Sequence, residues 1–259
     1  LYDGLPGTLR AVAAPAPAPG DGEVVVSVET ALVCGSDLHT VDGRRDAPTP
    51  LVLGHETVGV VERVGTGRRD ALAPGDRVVW GIVASCGGCP NCGSGWPQKC
   101  VDGLKFGHAR AEGRRLFSGG FADTVLLPAT ATLLRVPDAL PSELAALGAC
   151  STATACAVAE AAGALAGARV VVNGAGVLGV QAALLCRERG AARVVCVDPD
   201  PGRRAAAGAL GLETAAPGPP DTEVDLWCEL AGDGAAFPEV QARLALGARV
   251  VLAGAVFPT

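Results

Sequence analysis

The sequence contains no methionine and one tyrosine, and aromatic residues make up only 3% of its 259 positions. Translation starts at Met, and a Met before a bulky Leu is not normally removed, so the expectation is a gene start upstream of Leu1. With so few aromatic rings, the core must be built from Val, Leu, Ala and Gly, a palette suited to parallel sheets covered by helices. No run reaches about 18 uncharged apolar residues, which argues against a membrane-spanning helix. Leu1 to Pro19 lacks a basic segment followed by an apolar one, so no secretory leader is read there. Basic residues are not in excess. The formal net charge is −6, which argues against a nucleic-acid partner, because phosphate binding needs a basic face. These absences leave a cytoplasmic protein acting on small molecules as the expectation.

What is abundant is cysteine and short valine-rich runs. Glu23 to Val28, Thr57 to Val64, Arg77 to Val83 and Phe121 to Leu127 are bounded by Gly, Pro and Asp and read as strands of an irregular, mostly antiparallel β domain. Pro141 to Ala162 turns Ala- and Leu-rich and reads as helical, with Ser142 as N-cap. Beyond Ala168, strand and helix patterns alternate: strands at Arg169–Asn173, Arg193–Asp198, Val224–Glu229 and Ala248–Ala253, helices at Val177–Arg189 and Arg203–Leu210. That alternation implies a doubly wound parallel sheet. The fold class is therefore α/β, with one domain over 1–144 and a dinucleotide-type domain over 145–259. A sheet of this plan continues through a sixth strand. The chain stops at Phe257-Pro258-Thr259, so the expectation is truncation at both ends.

Ten cysteines in a chain of this size fit metal ligation better than a disulfide framework. Cys86, Cys89, Cys92 and Cys100 follow a C-x2-C-x2-C-x7-C pattern threaded with Gly and Pro, in a lobe spanning 86–100. Four thiolates close the tetrahedral shell of zinc and leave no open position, which makes such a site structural. An iron–sulfur cluster is the lesser alternative, because ferredoxin-type spacing is similar. A second set is dispersed: Cys34 in Cys34-Gly35-Ser36-Asp37, His55 in Gly54-His55-Glu56, and Cys150 before Ser151. Two thiolates and one imidazole leave the fourth zinc position free, the catalytic arrangement. Glu56, beside a ligand, and Asp37 are read as supporting carboxylates, with a loop cap an equal reading for Asp37.

Asn173-Gly174-Ala175-Gly176-Val177-Leu178-Gly179 carries G-x-G-x-x-G between a strand and a helix, with Asp198 ending the next strand. Glycines there permit a tight turn and let backbone N–H groups meet a pyrophosphate. Asp198 would accept from ribose hydroxyls and repel a 2′-phosphate, favouring NAD over NADP. Arg203 reads equally as a solvated helix residue or a nucleotide contact.

In order and content these motifs resemble the zinc-dependent medium-chain alcohol dehydrogenases, nearly from end to end. The match is carried by Cys34-Gly35-Ser36-Asp37, Gly54-His55-Glu56 with Gly59, Gly75-Asp76-Arg77-Val78, the four-cysteine lobe, Cys150 with Thr154, and the nucleotide fingerprint. The resemblance implies a GroES-like irregular β-barrel catalytic domain joined to a Rossmann sheet. It implies two zinc ions per chain, the catalytic one held by Cys34, His55 and Cys150 with Glu56 behind it. It implies NAD bound by Gly174, Gly176, Val177, Leu178, Gly179, Asp198, Arg203 and Thr154, and a proton relay through Ser36 and His39. Small alcohols or their aldehydes or ketones are the implied substrates, and a homo-oligomer, dimer or tetramer, the implied assembly. The segment Cys34 to Glu56, with Leu38-His39-Thr40 and Gly43-Arg44-Arg45, is similar to a shorter subgroup associated with phosphonate metabolism. The competing readings are a damaged member retaining only the structural zinc, and a quinone or enoyl reductase relative, which would lack both zinc sites. His108 is read as structural, and Cys156, Cys186, Cys196 and Cys228 as core residues.

Overall fold

Val24, Val25 and Val26 are all fully buried, an unusual run for a strand whose side chains alternate between faces. The computed structural model, which describes residues 1–68, 70–232 and 236–254, accounts for it. Strand β1 (Val24–Leu32) lies second in a five-stranded sheet of order β6-β1-β2-β3-β7, with β2 at Glu56–Val64, β3 at Arg77–Trp80, β6 at Thr124–Leu127 and β7 at Leu133–Arg135. All pairings are antiparallel. The β1–β2 register shifts at Val25/Val26 and again at Val28/Thr30. Such bulges bend and twist a strand, so the sheet curls around Val24, Val26, Val61, Val78, Trp80, Phe106, Val125 and Leu127. Between these strands come helix α1 (Gly35–Val41), strand β4 (Val83–Ala84), helix α2 (Pro90–Gly93) and strand β5 (Leu104–Lys105). Helix α3 (Ser142–Ala146) follows β7.

The chain divides into two compact units, Leu1–Cys150 and Ser151–Thr259. The second comprises α4 (Ser151–Ala162), β8 (Arg169–Asn173), α5 (Val177–Glu188), β9 (Arg193–Val197), α6 (Pro201–Ala209), β10 (Glu213–Ala215), β11 (Val224–Glu229), α7 (Phe237–Gln241) and β12 (Leu244–Leu252). Its sheet is wholly parallel, order β10-β9-β8-β11-β12. Ala182, Ala183 and Cys186 of α5 and Ala207 of α6 pack on Val170, Val172, Val194, Cys196, Leu226 and Cys228. Small side chains on both surfaces let the helices approach closely, which is what the scarcity of aromatics anticipated.

The other sheet face presents Val171, Val224 and Trp227, packed with Val240, and Phe237 lies 5.3 Å from the Trp227 ring. The connection from β10 to β11 must return across this face, because parallel crossovers are right-handed. It has only residues 216–223 to do so, including Pro217, Pro219 and Pro220. A helical crossover needs about a dozen residues or more, so none forms. A cavity of about 710 Å³ remains, lined by Val171, Val195, Val197 and Trp227 and reaching Gly174, Asp198 and Arg203. Arg193 ties the loop to the sheet, donating to Glu213 (2.9 Å) and Asp221 (2.8 Å).

Three sequence expectations shift. Ser142 is the first residue of α3, not its cap; Pro141 holds that place, and the Ser142 hydroxyl donates instead to Glu29 (2.6 Å). Helix α6 begins at Pro201, capped by Asp200, whose carboxylate accepts from Gly202 N and Arg203 N. Cys156 is exposed on α4, whereas Cys186, Cys196 and Cys228 are buried. The segment Phe257–Thr259 lies outside the described residues. Among the described residues no single helix is long and apolar enough to cross a membrane.

Candidate functional site

Cys34, His55 and Cys150 are far apart in sequence, yet their ligand atoms lie within 4.8 Å of one another. Each is set by its own local structure. Cys34 has extended backbone at the N-terminus of α1, and Asp37 reaches back to accept from its N–H (3.0 Å). His55 precedes β2, on a loop pinned by Gly54 N donating to Asp37 (3.3 Å) and by Gly120 N donating to Gly54 O (2.8 Å). Cys150 ends the turn Leu147–Ala149, its N–H donating to Leu147 O (3.2 Å).

His55 is almost wholly buried and is approached at both ring edges. Asp37 Oδ1 lies 3.4 Å from Nδ1, and Ser36 Oγ lies 3.3 Å from Nε2. Asp37 therefore serves both readings the sequence left open: it caps the helix and faces the imidazole. Burial works against charge on His55, but Asp37 and Cys34 outweigh it and hold the pKa up to about 9. The hydrogen bond from Cys150 leads the downward shift of Cys34, against burial and with help from His55 and Ser36. The same contact, with burial and the negative charges of Cys34, Glu56 and Asp37, pushes the Cys150 thiol upward. Two sulfurs thus compete for one negative charge, a conflict that a divalent cation at their common centre removes. His108 lies against His55, ring centroids 4.7 Å apart. Burial, then Arg45, His55 and Lys105, push its pKa down to about 3.

The second cysteine set also converges. The Sγ atoms of Cys86, Cys89, Cys92 and Cys100 lie within 4.8 Å of one another, with Cys89–Cys92 at 3.5 Å and Cys89–Cys100 at 3.9 Å. Four sulfurs about 2.3 Å from one zinc form a tetrahedron with edges of about 3.8 Å. The sulfurs thus fit a zinc ion with little adjustment. They are also too far apart for disulfides, whose sulfurs sit about 2.05 Å apart.

In the second unit, Gly174 to Gly179 form the turn from β8 into α5. Gly176 occupies the N-cap with no side-chain cap. The first-turn N–H groups are orphans by the geometry of any helix, and a Cβ on Gly176 would meet nothing within 4 Å. This is the cradle an anionic pyrophosphate needs. Asp198 is buried and lines the cavity. Its Oδ2 accepts from Ala175 N and its Oδ1 from Asp200 N, both at 2.9 Å. Arg203 Nη1 lies 3.7 Å from Asp198, on a largely exposed side chain. Thr154 is half-buried on α4. Sequence reasoning missed Glu229 and Asn173. Buried Glu229 accepts from Asn173 Nδ2 (3.2 Å), Ala231 N (2.9 Å) and Gly232 N (3.0 Å), fixing the backbone that faces the glycine turn. The signal was a carboxylate at the C-terminal end of a strand, as at Asp198.

Residues 20–138 match the alcohol dehydrogenase GroES-like domain. An L-threonine 3-dehydrogenase of Anaeromyxobacter sp. (strain Fw109-5) is 33% identical over 258 residues, covering 93% of this chain and 72% of its own. The crystal structure of an alcohol dehydrogenase from Thermotoga maritima superposes with TM-score 0.86 at 27% identity, over 95% of this chain and 73% of that one. The crystal structure of a dehydrogenase from Sinorhizobium meliloti 1021, bound to NADP, gives TM-score 0.82 at 29% identity, over 94% of this chain and 72% of that one. The chain belongs to the zinc-dependent medium-chain alcohol dehydrogenases, oxidoreductases that move hydride between a small alcohol or its carbonyl and a nicotinamide cofactor.

Proposed function

We propose that Cys34, His55 and Cys150 hold the catalytic zinc, that Cys86, Cys89, Cys92 and Cys100 hold a structural one, and that NAD is the hydride carrier. The convergence of Cys34, His55 and Cys150 within 4.8 Å carries this reading. It supplies three ligands of the open, catalytic type and disfavours the reductase relatives, which lack them. When bound, zinc supplies Lewis acidity that makes an alcohol acidic near neutral pH, and the nicotinamide supplies a two-electron acceptor.

The protein's own residues do the rest. Asp37 holds His55 with Nε2 turned to the cysteines, so the imidazole keeps one tautomer. Ser36 Oγ, beside Nε2, receives the alcohol proton. His39 stands one helical turn further along α1, and residues so spaced share a face, so its imidazole passes the proton towards solvent. Glu56, buried next to His55, modulates the charge of the site from behind. Asp198 accepts from the ribose hydroxyls with the lone pairs that its backbone donors leave free, and Arg203 and Thr154 complete the nucleotide contacts.

Metal analysis together with NADH absorbance over a panel of primary, secondary and polyol alcohols tests this function. Two zinc ions per chain and NAD reduction are expected; one zinc and no turnover against any alcohol would refute it. Asp198→Ala should erode the preference for NAD over NADP by about 10- to 100-fold, the worth of a charged hydrogen bond; an unchanged ratio of kcat/KM values removes Asp198 from the cofactor site. Gly179→Ala should weaken NADH binding at least about tenfold, because close helix–strand packing shapes this turn. The added Cβ would fall 1.8 Å from Gly174 O, a backbone clash that only movement of the turn relieves. Fluorescence titration of NADH checks it, and unaltered affinity would show that the turn does not hold the dinucleotide.

A further inference from the structure

His55 is approached by polar groups at both ring edges. The approaches to Nδ1 and Nε2, at 3.4 and 3.3 Å, are both longer than an optimal hydrogen bond of about 2.7–3.2 Å. Contacts of that length leave the tilt of the ring open, yet a metal ligand must present its lone pair within a narrow cone. His108 packs against this ring, centroids 4.7 Å apart and planes tilted by 38°.

The segment carrying His108 is anchored at three successive residues. Phe106 N donates to Ile82 O (2.9 Å), Gly107 N to Ser118 O (2.9 Å) and His108 N to Lys105 O (3.1 Å). Gly107 has a left-handed φ of +70°, and a Cβ there would fall 2.6 Å from Gly54 O. The backbone beside His108 therefore presses on the residue before His55. Phe106 is itself fully buried in the barrel core, so the segment is a rigid arm from that core to the metal ligand.

A second observation shows that the ring acts by its shape and not through a hydrogen bond at Nδ1. His108 is 8% exposed, and its Nδ1 is buried without a hydrogen-bond partner among the described residues. A phenyl ring would fill the space without stranding a polar atom. We propose that His108 is a positioning residue, whose ring packs at a tilt against His55 and sets the orientation in which that imidazole meets the metal. The proposal rests on the zinc assignment above and gives His108 a role beyond the structural one read from sequence.

The test uses the whole protein with cobalt in place of zinc, comparing wild type with His108→Ala and His108→Phe. Visible d–d bands and cobalt affinity are read alongside thermal melting and the KM and kcat for an alcohol. For His108→Ala, a shifted or broadened catalytic-site spectrum and cobalt affinity about 10- to 100-fold weaker are expected, the usual loss when a group supporting a ligand is removed. His108→Phe should restore the bands. It also removes the buried unpartnered nitrogen, so it should melt no lower than wild type, which keeps the result readable if the alanine variant is unstable. A merely structural role would lower the melting temperature of His108→Ala and leave the bands in place. Wild-type bands and affinity in His108→Ala overturn the proposal alone, as does a His108→Phe spectrum matching that of His108→Ala. Wild-type protein that takes up one cobalt per chain, with no charge-transfer band from Cys34 and Cys150, overturns the zinc assignment and the proposal with it.

Discussion

Replacing Cys34 with Ala is expected to reduce turnover at least about a thousandfold while leaving NAD affinity nearly unchanged. Binding to zinc lowers the pKa of water from about 15.7 to about 7, close to nine units, or about 12 kcal/mol at 1.36 kcal/mol per unit. If only a third of that difference reaches the transition state, about 4 kcal/mol, the rate falls roughly a thousandfold. Loss of the fold would not explain such a result. Asp37 caps α1 through the backbone N–H of Cys34, which alanine retains, and the Cys34 side chain is only half-buried. The glycine turn and Asp198 belong to the other compact unit, so dinucleotide binding should persist, as measured by NADH fluorescence. Metal content should fall from two ions per chain towards one. Turnover within tenfold of wild type would mean that Cys34 is not a ligand. Cys34→Ser should not rescue, because a hydroxyl does not replace a thiolate as a zinc ligand at neutral pH.

What the sequence made legible follows the range of the interactions involved. The four-cysteine lobe was readable because its cysteines are local, the first three spaced by two residues and the fourth by seven, with Gly and Pro between them. The alternating strands and helices after Ala168 were readable because each is specified by its own apolar pattern. The grouping of Cys34, His55 and Cys150 needs long-range folding. No periodicity could have joined them, and the resemblance did so instead. Cys156 sits in an apolar stretch and was assigned to the core, but it points outward because α4 buries the face of Ala155, Val158, Ala159 and Ala162. Ser142 looked like a cap because capping residues are recognised by type and position. Its hydroxyl instead joins Glu29 and Arg77, partners more than sixty residues away. The packing of His108 against His55 and the hydrogen bonds that Glu229 accepts from Asn173, Ala231 and Gly232 are likewise tertiary facts. So is the cavity beneath residues 216–223, although the shortness of that crossover is visible in the sequence.

The four-cysteine lobe is expected to give the second large effect: Cys89→Ser should speed tryptic cleavage after Lys99 by at least about a hundredfold. From Cys86 to Val101 the only buried residue is Cys89, while Trp96 and Val101 lie exposed. The regular structure there is the four-residue α2 and a three-residue turn at Pro97–Lys99. Helices that short do not persist on their own in water, and a segment without an apolar core would depend for its order on the metal proposed at its four sulfurs. Structural zinc stabilises small metal-bound peptides by about 10–16 kcal/mol. A loss of only about 2.7 kcal/mol here would raise the open population a hundredfold, and cleavage tracks that population when opening is fast. Lys99 is the sole Lys or Arg between Cys86 and Cys100, so cleavage there releases a fragment of defined mass. Its carbonyl accepts from Asn91 Nδ2 (2.5 Å) in the folded lobe, a bond that must open before a protease can bind. Chelation of the wild type should produce the same fragment, with the structural ion lost. If the variant keeps two metal ions and is digested at the wild-type rate, the lobe is held by something other than its four sulfurs. The tetrahedral fit of their spacing would then have no bearing on its order.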